Sequence, residues 1–229
     1  MIKDHIVTLT KAIHDYSYNK VTYDFQLEKE ITHSNMREVE KYISINLLST
    51  DPNQVKDGLS NVIYWGLYTM GGRKKTHVKR FRDDVTEEQL IKASFLFRSR
   101  DVGLVRIKRL KLPEFSRVPL VSKVLAFLNP YENVVLDNKL YKIGDCKPSN
   151  VFTEIKKGRS ENTISITERN QDVYLRWCEY CKNTADKYFP NDDIRAVDVE
   201  RGIYQLCLED DKIKKSYESA AEIVSDMGD

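Results

Sequence analysis

Apolar residues return at three- and four-residue intervals in one segment after another of this chain, and that period restricts it to a fold of packed amphipathic helices. Ile6, Leu9, Ile13 and Tyr16 set the pattern within Ile2 to Tyr16, and Met36, Val39, Tyr42, Ile43, Ile45 and Leu48 repeat it over Asn35 to Leu48. Asp51 then stands as an N-cap with Pro52 in the first turn. The helix they open carries Val55, Leu59, Val62, Ile63 and Trp65 to a stop at Gly66 or at the Gly71-Gly72 pair. Thr86-Glu87-Glu88-Gln89 has the form of a capping box ahead of Leu90, Ile91, Phe95 and Leu96. Phe115 to Leu128 reads as another helix, with Pro119 tolerated only in its first turn and Pro130 as its stop. Gln171 to Tyr188 and Ala196 to Leu208 complete the series, and the charged last twenty residues are expected to fray.

Two stretches depart from this period. Val21 to Leu27 alternates like a half-buried strand or extended arm. Between Pro148 and Arg169, Val151-Phe-Thr-Glu-Ile and Ile164-Ser-Ile-Thr flank a polar Gly158-Arg159-Ser160, which suits a hairpin or an irregular insertion. The expectation is a mainly α fold with a small β element near residues 151 to 166. At 229 residues, 41% of them hydrophobic, the chain suits one large domain or two tightly joined lobes. No stretch approaches the roughly 18 consecutive apolar residues of a membrane span. Met1-Ile2-Lys3-Asp4-His5 also lacks the apolar core of a signal peptide, so a cytoplasmic protein with no membrane partner is expected.

Four cysteines give a single Cys-x-x-Cys, Cys178 and Cys181, with Cys146 and Cys207 apart from it. A zinc site wants four ligands at paired spacings, so thiols on one helical face beside Trp177 read as core, and neither metal nor cofactor is expected. The chain has no Walker A loop, Gly-x-Gly-x-x-Gly, His-Glu-x-x-His or Gly-x-Ser-x-Gly. Its four histidines stand apart from other catalytic residue types, which argues against a histidine-based hydrolase.

A formal net charge of +2 conceals segregation. Arg73 to Lys123 holds 15 Lys/Arg against 6 Asp/Glu, a surplus of 9, while the chain from Asp186 onward is rich in acid. Such a surplus suits a polyanion, and equally a solvated helix surface. The candidate contacts with DNA, duplex or single-stranded, are Arg73, Lys74, Lys75, Lys79 and Arg80, then Arg106, Lys108, Arg109, Lys111 and Arg117, and Ser122. Arg73-Lys74-Lys75 is read as a basic loop following the helix that ends at Gly71-Gly72.

Three stretches carry a resemblance: Val62-Ile-Tyr-Trp-Gly, then Val118-Pro-Leu-Val-Ser-Lys-Val-Leu-Ala-Phe-Leu-Asn-Pro-Tyr-Glu-Asn-Val-Val-Leu-Asp137, then Arg195-Ala-Val-Asp-Val-Glu-Arg-Gly-Ile-Tyr. The middle one resembles the signature of the helix-hairpin-helix DNA glycosylase superfamily, and the outer two resemble flanking helices of its divergent, 8-oxoguanine-glycosylase-like members. The resemblance implies a two-lobed helical fold over residues 1–229 and an enzyme that excises a damaged or modified base, with or without lyase action on the abasic site. It implies Lys123 as the nucleophile and Asp137 as the partner carboxylate. An amine that attacks C1′ must be deprotonated, which burial or a neighbouring cation favours, and a carboxylate can steady the cationic sugar. A flipped base also needs an aromatic pocket or wedge, for which Tyr64, Tyr68 and Phe127 are candidates, while Trp65 reads as core. Val118-Pro119-Leu120-Val121 has none of the glycines with which the family's hairpin approaches a phosphate, and this favours an alternative: a non-catalytic module that kept the fold and binds nucleic acid or a partner protein. In Arg195-Ala-Val-Asp198-Val-Glu200-Arg201, Glu200 is expected to pair with Arg195 or Arg201 in a structural ion-pair helix.

Overall fold

Asp51 and Pro52 start the helix around which half of the chain is arranged. The computed structural model describes residues 2–146, 150–156, 163–208 and 215–227. In chain order these form α1 (Ile2–His14), the antiparallel strands β1 (Val21–Asp24) and β2 (Lys29–Thr32), α2 (Met36–Leu47), α3 (Pro52–Gly66), α4 (Arg73–Asp84) and α5 (Glu87–Phe97). They continue with α6 (Leu104–Arg109), α7 (Val118–Leu128), α8 (Glu168–Tyr188), α9 (Ala196–Leu208) and α10 (Lys215–Asp226). The protein is mainly helical with one small sheet. It divides into a central unit, residues 18–128, and a terminal unit that combines residues 1–17 with 129–229.

In the central unit, Asp51 accepts a hydrogen bond from the Asn53 amide at 2.9 Å and caps α3. Every residue from Gly58 to Trp65 is buried, so α3 has no solvent face in its second half and packs against α2, α4, α5, α7 and β1. Gly58 permits the close approach of α2, because a Cβ there would stand 2.8 Å from the Leu47 backbone nitrogen. The hairpin is seated by Asn61, fully buried in α3, which accepts from the Tyr23 amide at 2.7 Å and donates to the Tyr23 carbonyl at 3.0 Å. A side chain thus satisfies the strand edge that no third strand covers. Strand register runs from Val21 opposite Thr32 to Asp24 opposite Lys29. Thr86 and Gln89 form the reciprocal capping box at the start of α5.

In the terminal unit α9 plays the corresponding part, touching α1, α8 and α10. Gly202 admits α1, since a Cβ would meet Ile13 Cγ1 at 2.7 Å. The buried extended segment Val134–Leu136 has no ladder to satisfy its carbonyls, and α8 supplies donors instead. Tyr174 Oη donates to the Val134 carbonyl at 3.0 Å and Trp177 Nε1 to the Val135 carbonyl at 3.0 Å. Cys178 and Cys181 lie buried in α8, and burial pushes the Cys178 thiol up to about 11, which keeps it protonated and unreactive at neutral pH.

Three expectations are corrected. The strand expected from Val21 forms one arm of the hairpin at residues 21–32, whereas in the element expected near 151–166 Val151–Glu154 is a 3-10 turn whose Phe152 packs on Trp177 at 4.8 Å between ring centroids, and Ile164 and Ser165 make β bridges. Gly158-Arg159-Ser160 lies outside the described residues. Arg73-Lys74-Lys75 opens helix α4 rather than forming a loop, because Lys74, Val78 and Phe81 give it a buried stripe. Beyond Lys215 the chain forms α10, where Ala220, Ile223, Val224 and Met227 recur at helical spacing and are buried.

The Gly58 contact gives the first test. Gly58→Ala should lower stability by about 1–3 kcal/mol, because backbone rather than a flexible side chain opposes the new methyl. Gly72→Ala, with φ at −59° and no atom within 4 Å of the added carbon, should leave Tm unchanged or raise it slightly. Thermal melts giving equal effects for the two would contradict this packing of α2 on α3.

Candidate functional site

Helix α7 is apolar on nearly every face, with Val118, Val121, Val124 and Leu125 all buried, yet it carries one lysine in its interior. Lys123 is only 7% exposed. Its Nζ donates to the Pro119 carbonyl, one helical turn earlier, at 3.2 Å. The stem crosses the end of α3 at Gly66, where a Cβ would stand 2.8 Å from Lys123 Cδ. Gly66 therefore does more than stop α3: it leaves the channel through which the lysine stem runs. The stop signal is visible in sequence, but the channel is not, because α3 and α7 meet only in the fold.

Helix α6 packs on α7, and the turn Leu110–Arg117 joins the two. The turn therefore precedes Val118-Pro119-Leu120-Val121, which is the first turn of α7. Within it Lys111 and Glu114 adopt positive φ of 54° and 68°, a left-handed conformation usual for glycine. Glu114 is held there by His77 Nδ1 at 2.8 Å and Arg80 Nη1 at 3.1 Å, both from α4. Side-chain ties thus stabilise a backbone shape that the sequence, lacking glycine, conceals.

Asp137 belongs to the terminal unit and follows the buried Val134–Leu136 segment. Its Oδ1 accepts from the amides of Lys139 at 2.8 Å and Leu140 at 3.1 Å, capping the 3-10 turn Leu140–Asp145. Two amides therefore fix the carboxylate's orientation through one oxygen, while Oδ2 carries no hydrogen bond among the described residues.

The expected surface contacts separate into exposed and buried groups. Arg73, Lys75, Lys79 and Arg80 are exposed on α4, and so are Arg106, Lys108 and Arg109 on α6 and Lys111 and Arg117 in the turn. Arg106 pairs with Asp101, and Lys79 with Asp83 at 2.5 Å. Lys74 is instead buried, 3.2 Å from Glu30 and 3.5 Å from the centre of the Tyr68 ring, so its charge is spent inside the unit. Ser122 is fully buried with its hydroxyl donating to the Pro119 carbonyl at 3.3 Å, which takes it out of the exposed basic surface. Phe127 is buried edge-on against Trp65 at 5.1 Å, and this packing leaves it no wedge to insert. Tyr64 is 1% exposed and donates its hydroxyl to Glu30. Burial, then this hydrogen bond, raises the Tyr64 pKa, while the same bond and Lys74 outweigh burial and lower that of Glu30. Tyr68 is half-buried under the Lys74 ammonium.

In α9 and the residue before it, Asp198 is a carboxylate paired with both arginines. It takes Arg195 Nε at 2.8 Å and Nη2 at 2.9 Å, and Arg201 Nη1 at 3.3 Å. Both arginines are buried, and the i,i+3 spacing on either side of Asp198 puts the three groups together. Burial alone would raise the Asp198 pKa, but the hydrogen bonds of Arg195 and the charges of both arginines leave it below the ordinary value.

Among the described residues no cluster of three or more His, Cys, Asp or Glu could hold a metal ion, and no helix is long and apolar enough to cross a membrane. Compared with protein families, curated proteins and solved structures, the chain matches none of them.

The Asp198 cluster yields a stability prediction. Asp198→Asn should cost about 3–5 kcal/mol by removing the charged carboxylate that two buried guanidinium groups share. Because the folded-state pKa is depressed, the Asp198 contribution is complete above the unfolded value near 4 and is lost as pH falls through the folded value. Denaturant titrations should therefore show the gap between wild type and variant closing below about pH 4. A gap that stays constant down to pH 2 would remove Asp198 as its source.

Proposed function

We propose that this protein is a DNA glycosylase of the helix-hairpin-helix kind that excises a damaged or modified base, with Lys123 as the nucleophilic amine and Asp137 as the carboxylate beside the reacting sugar. The observation that carries the reading is Lys123 itself: a lysine kept from bulk water inside an apolar helix, its stem in a channel left by Gly66. A buried lysine on such a helix is costly to keep for packing alone. Its neighbourhood agrees, since α6 and α7 are joined by a turn with left-handed residues at Lys111 and Glu114.

In the proposed reaction the lone pair of Lys123 Nζ forms a bond to C1′ as the C1′–N glycosidic bond breaks. The base departs with that electron pair and takes up a proton. Opening of the sugar ring then gives an imine between lysine and C1′, which water hydrolyses or which passes through β-elimination to a nicked strand. Positive charge develops on the sugar along this path, and a carboxylate already oriented by two backbone amides can oppose it without reorganising. The exposed cations of α4, α6 and the turn would meet the phosphates.

One observation favours a second reading, a binding module without chemistry. The first turn of α7 presents Val118 and Val121 fully buried, with no glycine to admit a phosphate oxygen to its amides.

Base release from oligonucleotides carrying a panel of modified bases separates the two. The enzyme reading predicts release from at least one substrate, its loss in Lys123→Gln with DNA binding retained, and a larger effect of Asp137→Asn on turnover than on binding. No release from any substrate, with binding intact, would leave the binding module. Binding itself should weaken with salt at a log–log slope near −0.9 for each phosphate neutralised. Arg73→Glu with Lys75→Glu should flatten that slope, whereas affinity that is absent at low salt would remove the enzyme and the nucleic-acid-binding module alike.

A further inference from the structure

The central unit holds a pocket of about 550 Å³ in which neither Lys123 nor Asp137 takes part. One wall is aromatic: alternation along β1 and into the turn brings Tyr23 and Phe25 to the same side, with ring centroids 5.0 Å apart, and Tyr64 continues the row 5.2 Å from Tyr23. The opposite wall is the stripe of α4 formed by Lys75, Val78, Lys79 and Arg82, residues spaced to share one helix face. Tyr23 and Phe25 are only half-buried, so their rings present area to the pocket rather than to a packed core.

From this arrangement we infer a binding site for a nucleotide, its base stacked on the Tyr23 and Phe25 rings and its phosphate at Lys75 and Lys79. The size lies within the range of roughly 300–1,000 Å³ usual for small-molecule sites. Arg82 already uses the platform, its guanidinium 4.3 Å from the Phe25 ring centre while Asp57 holds it at 2.6 Å. A base stacking there would share the Phe25 ring with Arg82 or take its place, and every base has a π-face for such stacking. Lys75 is exposed at the mouth and makes no ion pair among the described residues, which leaves its ammonium for an anion. Glu28 and Asp83 also line the pocket, and Asp83 faces Lys79 at 2.5 Å. Lys79 and Arg82 are thus already paired with Asp83 and Asp57, which leaves Lys75 as the main charge for a single phosphate rather than a triphosphate, and the carboxylates offer acceptors for sugar hydroxyls or an exocyclic amine.

A free mononucleotide and one unit of a single strand share this chemistry. Calorimetric titration of the full chain with 5′-AMP and with an eight-residue oligo-dT distinguishes them: AMP binding identifies the free ligand, and binding of the oligomer alone identifies the strand. The ligand that binds should lose roughly tenfold or more in affinity in Lys75→Gln/Lys79→Gln, and separately in Phe25→Leu, which keeps apolar bulk but removes the ring. If AMP is that ligand, adenosine and ribose 5-phosphate should each bind far more weakly than AMP. Lys123→Gln should bind AMP like the unaltered chain, so this result and the base-release assay can fail independently. Failure of both probes to bind, or binding indifferent to both sets of substitutions, would overturn the inference.

Discussion

The second half of α3 has no face left for water, and the central unit depends on that constraint. A helix buried on all sides must be surrounded, so α2, α4, α5, α7 and the hairpin each take a side of it. Three of these approaches are set by particular residues. Gly58 admits the α2 backbone, Asn61 satisfies the edge of β1, and Gly66 leaves room for the stem of Lys123. The same helix therefore fixes the hairpin wall of the nucleotide pocket and the position of the lysine on α7.

Charge in this protein divides between what is spent internally and what is left outside. Lys74, Arg195 and Arg201 lie buried, Lys74 against Glu30 and the two arginines against Asp198. Arg73 and Lys75, by contrast, stand exposed on α4 beside the buried Lys74. Neighbours in a basic run thus have opposite roles, decided by the helical period: one in three points inward. Counting charges over Arg73 to Lys123 measures the potential of the region but not which side chains can meet an anion.

The helices were legible because their signals are local. The Asp51-Pro52 start, the Thr86 to Gln89 box and the apolar periods of α2, α8 and α9 each lie within a few residues of one another. What the sequence concealed depends on distant partners. The turn before α7 lacks glycine, yet His77 and Arg80, more than thirty residues earlier, hold Glu114 in a left-handed conformation. The basic run after Gly72 reads as a loop in sequence because α4 has a narrow buried stripe and many charges. For Asp198 the spacing was visible but its bond to both arginines was not, since that depends on where two guanidinium groups converge. Lys123 and Asp137 stood out by resemblance, whereas Gly66 and the capped orientation of Asp137 emerged only from the fold.

The central claim is that the amine of Lys123 becomes bonded to the sugar. Incubation with borohydride and DNA containing a modified base or an abasic site would reduce the imine to a stable amine, and peptide mass spectrometry of the adduct would locate the linkage. The account predicts one cross-linked peptide, carrying the sugar on Lys123. Attachment at another lysine, or base release that proceeds with no trapped species, would contradict it.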